Sequence, residues 1–341
     1  VAISIAQYRD CFVASLLAMT SVGADILLSM SAAWPPPVRP GDRVGVAALS
    51  SAVEPDAMAR GLEVLCELGY QPVPARNLSS HFGILAGTDD ERLDAFHELV
   101  ADDSLAAILF ARGGHGILRL LPRLDWELVG RRPRAWVGYS DLTPFLLQVV
   151  DRLGLVAFHG PMVGADLARG LAAAEADSLR AALAGESPLR YPLQPLREVD
   201  AEGPLLGGCL SLLTAVLGTP WATRFDDALL FLEDVNEPLH RVDRMLTHLR
   251  LSGSLTGVRG VIAGHFGREW EQTIRDIGSA ETGGAETGLT AAWHRETVLA
   301  LPGALACGLP CGHGAPNLTL PLGARAALDA HAGELVVEPG R

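Results

Sequence analysis

Ala135-Trp136-Val137-Gly138-Tyr139-Ser140-Asp141-Leu142 is the stretch that decides the fold. Ala135–Tyr139 is short and apolar, the pattern of a fully buried strand. Leu142–Leu153 follows at once as a helix. A strand that passes directly into a helix is the building unit of a parallel sheet with helices on its faces. Such sheets bind ligands at the carboxyl ends of their strands, which is where Ser140 falls. Ser140 also opens a helix, whose free N–H groups and positive dipole end favour developing negative charge. Two readings stand together. The serine caps the helix, or it is a nucleophile on a strand-to-helix elbow, although the glycine usual two residues after it is missing.

Working outward, the alternation continues. Arg43–Ala48, Gln71–Pro74, Leu105–Phe110 and Leu155–Phe158 read as strands. Pro55–Leu68 is a helix with Met58, Leu62, Leu65 and Leu68 on one face, stopped by Gly69. Thr88 with Glu91 three residues on forms a capping box for a helix over Asp89–Ala101. A doubly wound parallel sheet is expected over 34–186, closing with a helix at Ala165–Ala184. The Pro-interrupted stretch Ser187–Pro204 reads as a linker. A second α/β unit is expected over 205–341. It has helices at Leu210–Leu217, Val242–Leu251 and Ala291–Leu299, and strands at Ala228–Glu233, Val258–Ala263 and Glu334–Glu338. Glu269–Thr290, rich in Gly, Thr and Glu, reads as a surface insertion.

Composition agrees with two domains in 341 residues. With 49% hydrophobic and 20% charged residues the chain can bury a core. The net charge of −13 repels phosphate backbones and argues against a nucleic-acid partner. Five cysteines are too few for a disulfide scaffold. A water-soluble cytoplasmic protein is the default. Residues 1–33 differ from the rest. Asp10 and Asp25 interrupt their apolar runs, so they fail as a membrane span, and only Arg9 precedes the apolar run of a secretory signal. They read as an extension outside the folded body, which properly starts near Met30.

Several residues carry candidate chemistry. Arg112-Gly113-Gly114-His115-Gly116 follows the strand Leu105–Phe110. Its glycines let backbone N–H groups approach a ligand, as an oxyanion hole requires, or simply supply positive φ in a turn. A serine nucleophile needs a base and an orienting carboxylate. His115, His159, His240, His248, His265 and His313 are the candidate bases, with His313 in a Gly- and Pro-rich loop. Glu233 and Asp234 end a buried strand, so either needs a partner, which is the base or a structural arginine such as Arg241 or Arg244. Cys307, Cys311 and His313 lack the spacing of a zinc site, and no metal or cofactor is expected.

These residues, taken in order, resemble the LD-carboxypeptidases, a family of serine peptidases that includes the microcin C immunity peptidases. The resemblance runs from about Pro37 to Leu335. It rests on Pro40-Gly41-Asp42, the Arg112–Gly116 turn with Arg119-Leu120-Leu121-Pro122, and Gly138–Thr143. It continues through His159-Gly160-Pro161, Phe231–Val235 with Asp243-Arg244, Gly312-His313 with Asn317, and Leu320–Gly323. It implies a flavodoxin-like or amidotransferase-like N-terminal domain, a smaller C-terminal α/β domain rich in strands, and a triad of Ser140 as nucleophile, Glu233 as orienting acid and His313 as base. It implies an oxyanion hole from the backbone of Gly113, Gly114 and Asp141, and a homodimer acting on a peptide or muropeptide in the cytoplasm, away from membranes. Arg112, His115 and Arg241 are candidate substrate contacts. The sequence departs from the family at His115, commonly tyrosine, at Cys209, commonly asparagine, and at Pro144-Phe145, often Ala-Leu. The expected reaction removes D-alanine from a murein tetrapeptide. An immunity peptidase would need an aromatic to stack on a base, for which Tyr191 is the candidate. A non-catalytic binding module is the alternative from another class.

Overall fold

The computed structural model describes residues 32–186, 188–268, 270 and 296–338. The first half builds β1 (Arg43–Ala47), α1 (Pro55–Glu67), β2 (Gln71–Pro74), α2 (Asp89–Val100) and β3 (Leu105–Phe110). Short helices α3 (Ile117–Leu120) and α4 (Trp126–Gly130) precede β4 (Ala135–Gly138), α5 (Thr143–Leu153), β5 (Ala157–His159) and α6 (Ala173–Ala184). The capping box forms as the sequence predicts: Glu91 N–H donates to Thr88 Oγ1 (3.3 Å) and Thr88 N–H to Glu91 Oε2 (2.7 Å). α5 carries Pro144 in its first turn and stops at Gly154, whose φ of 62° only glycine adopts cheaply.

β5, β4, β3, β1 and β2 lie side by side and parallel. The order reverses between β3 and β1, so a crevice opens beyond their carboxyl ends. Three loops converge there: Ser50-Ser51 after β1, the glycine turn after β3, and Ser140 after β4. Phe96, Phe110, Trp136 and Phe145 fill the face beneath, with ring centroids 5.2–5.8 Å from Phe145. Phe145 is fully buried there, so its departure from the family pattern is a matter of core packing and not of substrate contact.

The second half supplies β6 (Leu189–Pro192), β7 (Gln194–Pro195), β8 (Ala201–Cys209), α7 (Leu210–Ala215), β9 (Leu229–Glu233), α8 (Leu239–Leu251), β10 (Gly260–Ala263), β11 (Ala304–Cys307), β12 (Leu320–Leu322), β13 (Arg325–Asp329) and β14 (Glu334–Val337). Eight of these strands form one sheet in the order β6-β14-β13-β8-β9-β10-β11-β7, parallel from β8 to β11 and antiparallel outside them. β12 instead crosses over and pairs antiparallel with β5 (Leu320↔His159) as the sixth strand of the first sheet.

Several expectations change. The stretch 187–204 is no free linker, because β6, β7 and the start of β8 lie in it. Pro192 and Pro195 fit because β6 and β7 are the two edges of the sheet, where a missing N–H costs little. The long helix expected over Ala165–Ala184 breaks into a 3-10 turn (Leu167–Arg169) and α6. Gly170 sits at φ 85° between them, and Ala172 is the true cap. β11, β12 and β13 are too short or too Gly- and Pro-flanked for periodicity to announce. Residues 1–31, Glu269 and 271–290, and Ala291–Arg295 of one expected helix, lie outside the described residues. Ala32 and Ala33 are tied to the body through bonds to Gly323 O (3.0 Å) and Gly154 O (2.8 Å).

Candidate active site

β4 delivers Tyr139 extended and then forces Ser140 to φ 61°, a left-handed conformation a serine rarely holds. Strain of this kind costs roughly 1–3 kcal/mol and persists only when the surroundings over-determine it. Two contacts do so. Gly113 packs directly on the serine, so a Cβ there would lie 2.8 Å from Ser140 Cβ and 3.0 Å from Oγ. The buried Asp141 side chain accepts from Ser50 Oγ (2.6 Å) and from Ile117 N–H (3.0 Å), tying the turn to both neighbouring loops. Ser51 completes the brace, because His115 N–H donates to its Oγ (3.2 Å). In the sequence Ser50 and Ser51 simply follow the first strand. Their place at the carboxyl end of a parallel strand was the available signal.

β9 runs parallel between β8 and β10 and ends on Glu233, which is fully buried. The loop from Gly308 onward turns back over that strand end. Gly312, at φ 110°, lets it pass so close that a Cβ would lie 2.5 Å from Glu233 Oε2. His313 then meets the carboxylate twice, through its backbone N–H (3.1 Å) and through Nδ1 (2.6 Å). Its other nitrogen, Nε2, lies 2.9 Å from Ser140 Oγ. An ionised carboxylate only accepts, so Nδ1 carries the hydrogen and Nε2 is left as acceptor for the serine hydroxyl. Burial alone would lower the His313 pKa, but the charge and hydrogen bond of Glu233 outweigh it and hold the imidazole above its ordinary value. Burial pushes the Glu233 carboxyl upward, opposed by the same histidine.

The other candidates separate. Asp234 does not face His313. It accepts from Ser211 N–H (2.8 Å) at the start of α7 and from Val235 N–H (2.8 Å). His159 is fully buried between Tyr139 and Phe231, with ring centroids 5.3 and 5.0 Å away, and burial drives its pKa down to about 3. It stays neutral in the core. His265 is spent on Pro316 O (3.1 Å), and His240 and His248 ride on α8. Arg112 donates to Ala52 O (3.1 Å), and Arg241 pairs with Glu237 (3.4 Å); both are exposed, as is His115. Tyr191 is 2% exposed and its hydroxyl donates to Thr319 O (2.6 Å), so it cannot stack on a ligand base. Cys209 is buried with Sγ near Ser211 Oγ (3.2 Å) and Asp234 Oδ1 (3.5 Å). Among the described residues no group of three or more His, Cys, Asp or Glu is arranged to hold a metal ion, and no helix is long and apolar enough to cross a membrane.

The sequence models of the LD-carboxypeptidase N-terminal and C-terminal domains match residues 44–160 and 202–328. The probable murein peptide carboxypeptidase of Bacillus subtilis is 35% identical over 312 residues, spanning 90% of this chain and 94% of that one. The chain belongs to the LD-carboxypeptidase family. This LD-carboxypeptidase is also 31% identical, over 304 residues, to the murein tetrapeptide carboxypeptidase of Pseudomonas aeruginosa, covering 85% and 94% of the two chains. The crystal structure of muramoyltetrapeptide carboxypeptidase from Oxalobacter formigenes superposes with a TM-score of 0.74 at 28% identity, over 88% of this chain and 99% of that one. The LD-carboxypeptidase is accordingly an enzyme, a serine-type peptidase.

Proposed function

We propose that this LD-carboxypeptidase hydrolyses the L,D-amide before the terminal D-alanine of a murein tetrapeptide, leaving a tripeptide. The observation that carries the reading is the hydrogen-bonded series Glu233–His313–Ser140, with contacts of 2.6 and 2.9 Å, on an elbow serine at positive φ. Neutral His313 takes the Ser140 proton through Nε2 as Oγ attacks the carbonyl, while Glu233 stabilises the imidazolium that forms. The backbone N–H groups of Gly113, Gly114 and Asp141 face the oxyanion, each contributing a few kcal/mol in the transition state. His313 then returns the proton to the departing D-alanine amine, and water releases the acyl group by the reverse sequence. The substrate's terminal carboxylate needs a cation at the rim. Arg112 is favoured over Arg241, because it precedes the glycine that packs on Ser140. The family resemblance also implies a homodimer in the cytoplasm; this chemistry requires neither.

The test is D-alanine release from free and nucleotide-linked tetrapeptides. The wild type is expected to turn over, and Ser140→Ala to lose at least about 1,000-fold in kcat. Release that survives the substitution removes Ser140 from its role. A wild type that binds the peptide without turnover marks a binding module instead.

A further inference from the structure

His313 lies on a loop of the second half, yet it must keep two contacts within about 3 Å, one of them to a serine of the first half. Beyond Glu233, a second buried carboxylate reaches that loop from the opposite side. Glu175, in the first turn of α6, is fully buried. Its Oε1 accepts from Asn317 N–H (2.8 Å) and from Arg169 Nη2 (2.6 Å), and its Oε2 from Ala172 N–H (2.8 Å). Asn317 is itself buried, and its Oδ1 accepts from Gly312 N–H (2.9 Å), the residue next to His313. Two residues on, Thr319 N–H donates to Ser178 Oγ of the same helix (3.0 Å). Arg169 also touches Asp166 (3.4 Å). Asp166 accepts from Tyr139 OH (3.3 Å), whose ring stands edge-on to the His313 imidazole with centroids 5.0 Å apart.

One guanidinium thus organises two carboxylates, and each braces His313 from a different direction. Burial alone would push Glu175 upward, but Arg169 and the two backbone N–H groups hold it below its ordinary value, so it is charged when the enzyme works. A buried carboxylate used only for stability is a costly choice, because hydrophobic packing of similar volume does as well. Its partners here run straight to the loop that carries the base.

We propose that Glu175 is a positioning residue for His313, acting through Asn317 and Gly312 to fix the imidazole between Glu233 and Ser140. The inference rests on the triad reading above. The experiment separates the two by using a fluorophosphonate probe, which labels an activated serine without needing the peptide substrate. The labelling rate and its pH profile are measured for the wild type, Ser140→Ala, Glu175→Ala, Glu175→Gln and Asn317→Ala, with circular dichroism to confirm folding. Glu175→Ala and Asn317→Ala should label about 10- to 100-fold more slowly. Their acid limb should move to lower pH, because an imidazole that has drifted from Glu233 loses the contact that raises its pKa. Glu175→Gln, which keeps an acceptor for Asn317 N–H, should recover part of the rate. Should Glu175→Ala not fold, Asn317→Ala decides alone. A folded variant with the wild-type rate and acid limb overturns the inference and leaves the triad standing. A wild type that does not label, or a Ser140→Ala that does, overturns the triad and the inference together.

Discussion

Ser140 holds a backbone conformation that serine does not choose, and His313 holds a pKa that burial does not choose. Gly113 and the tied-down Asp141 hold the first, and Glu233 leads the second, so each can be tested by substitution. For His313 the sign follows from its proposed role. A general base must be neutral, so turnover should rise with pH as the imidazole loses its proton, with a midpoint above the ordinary value of about 6.5. Glu233→Gln removes the charge that raises the pKa and leaves the burial that lowers it. The midpoint should then fall below the wild-type value, and kcat should drop by roughly 10³–10⁴. A pH profile of D-alanine release checks both, and an unchanged midpoint would detach Glu233 from the histidine. Position alone made Ser140, Glu233 and His313 candidates, each at a strand end or in a glycine-rich loop, among six histidines and two carboxylates; the family resemblance is what joined the three. Glu175 and Asp166 were not. They lie in an Ala/Leu-rich stretch that reads as one continuous helix, and only the folded chain shows what that helix faces.

The site is made where elements end. β1, β3 and β4 reach the same level, and the three loops beyond them are cross-tied by the Asp141 carboxylate and Ser51. The approach of the glycine turn to the serine turn has no slack, since a methyl group at residue 113 would lie 2.8 Å from Ser140 Cβ. Gly113→Ala should therefore separate the two turns, with kcat lowered about 10- to 100-fold and a destabilisation of about 1–3 kcal/mol from overpacking. Steady-state kinetics beside denaturant melts will read the two effects apart; full activity would mean that the turn takes no part in the chemistry. The parallel sheet of the first half was readable because its buried strands are uninterrupted apolar runs of four to six residues. The edges of the second sheet were not. β6 and β7 carry prolines that mark a linker everywhere except at a sheet edge, and β12 has three residues whose identity as a strand comes only from its partner β5.

At the scale of the molecule the two sheets are not two bodies joined by a tether. Tyr191 of β6 bonds to Thr319, β12 completes the first sheet, and α6 holds Asn317 and Thr319. Unfolding is expected as one transition. Tryptophan fluorescence and far-UV circular dichroism should give the same denaturant midpoint. Two separated midpoints would show that the halves fold independently. The net charge of −13 also takes on meaning here. A protein this acidic repels an anionic peptide at long range, so attraction has to come from cations at the mouth of the crevice, where Arg112 stands exposed.

The crossover of β12 has a mechanical side. Clefts built between two halves usually admit their ligand by swinging apart on a hinge. Here the strand just beyond the His313 loop is stitched into the opposite sheet, so a swing wide enough to admit bulk would rip out a row of backbone bonds. The same pairing lies just beyond the loop whose His313 reaches Ser140, so the stitch that resists a swing also keeps base and nucleophile in register.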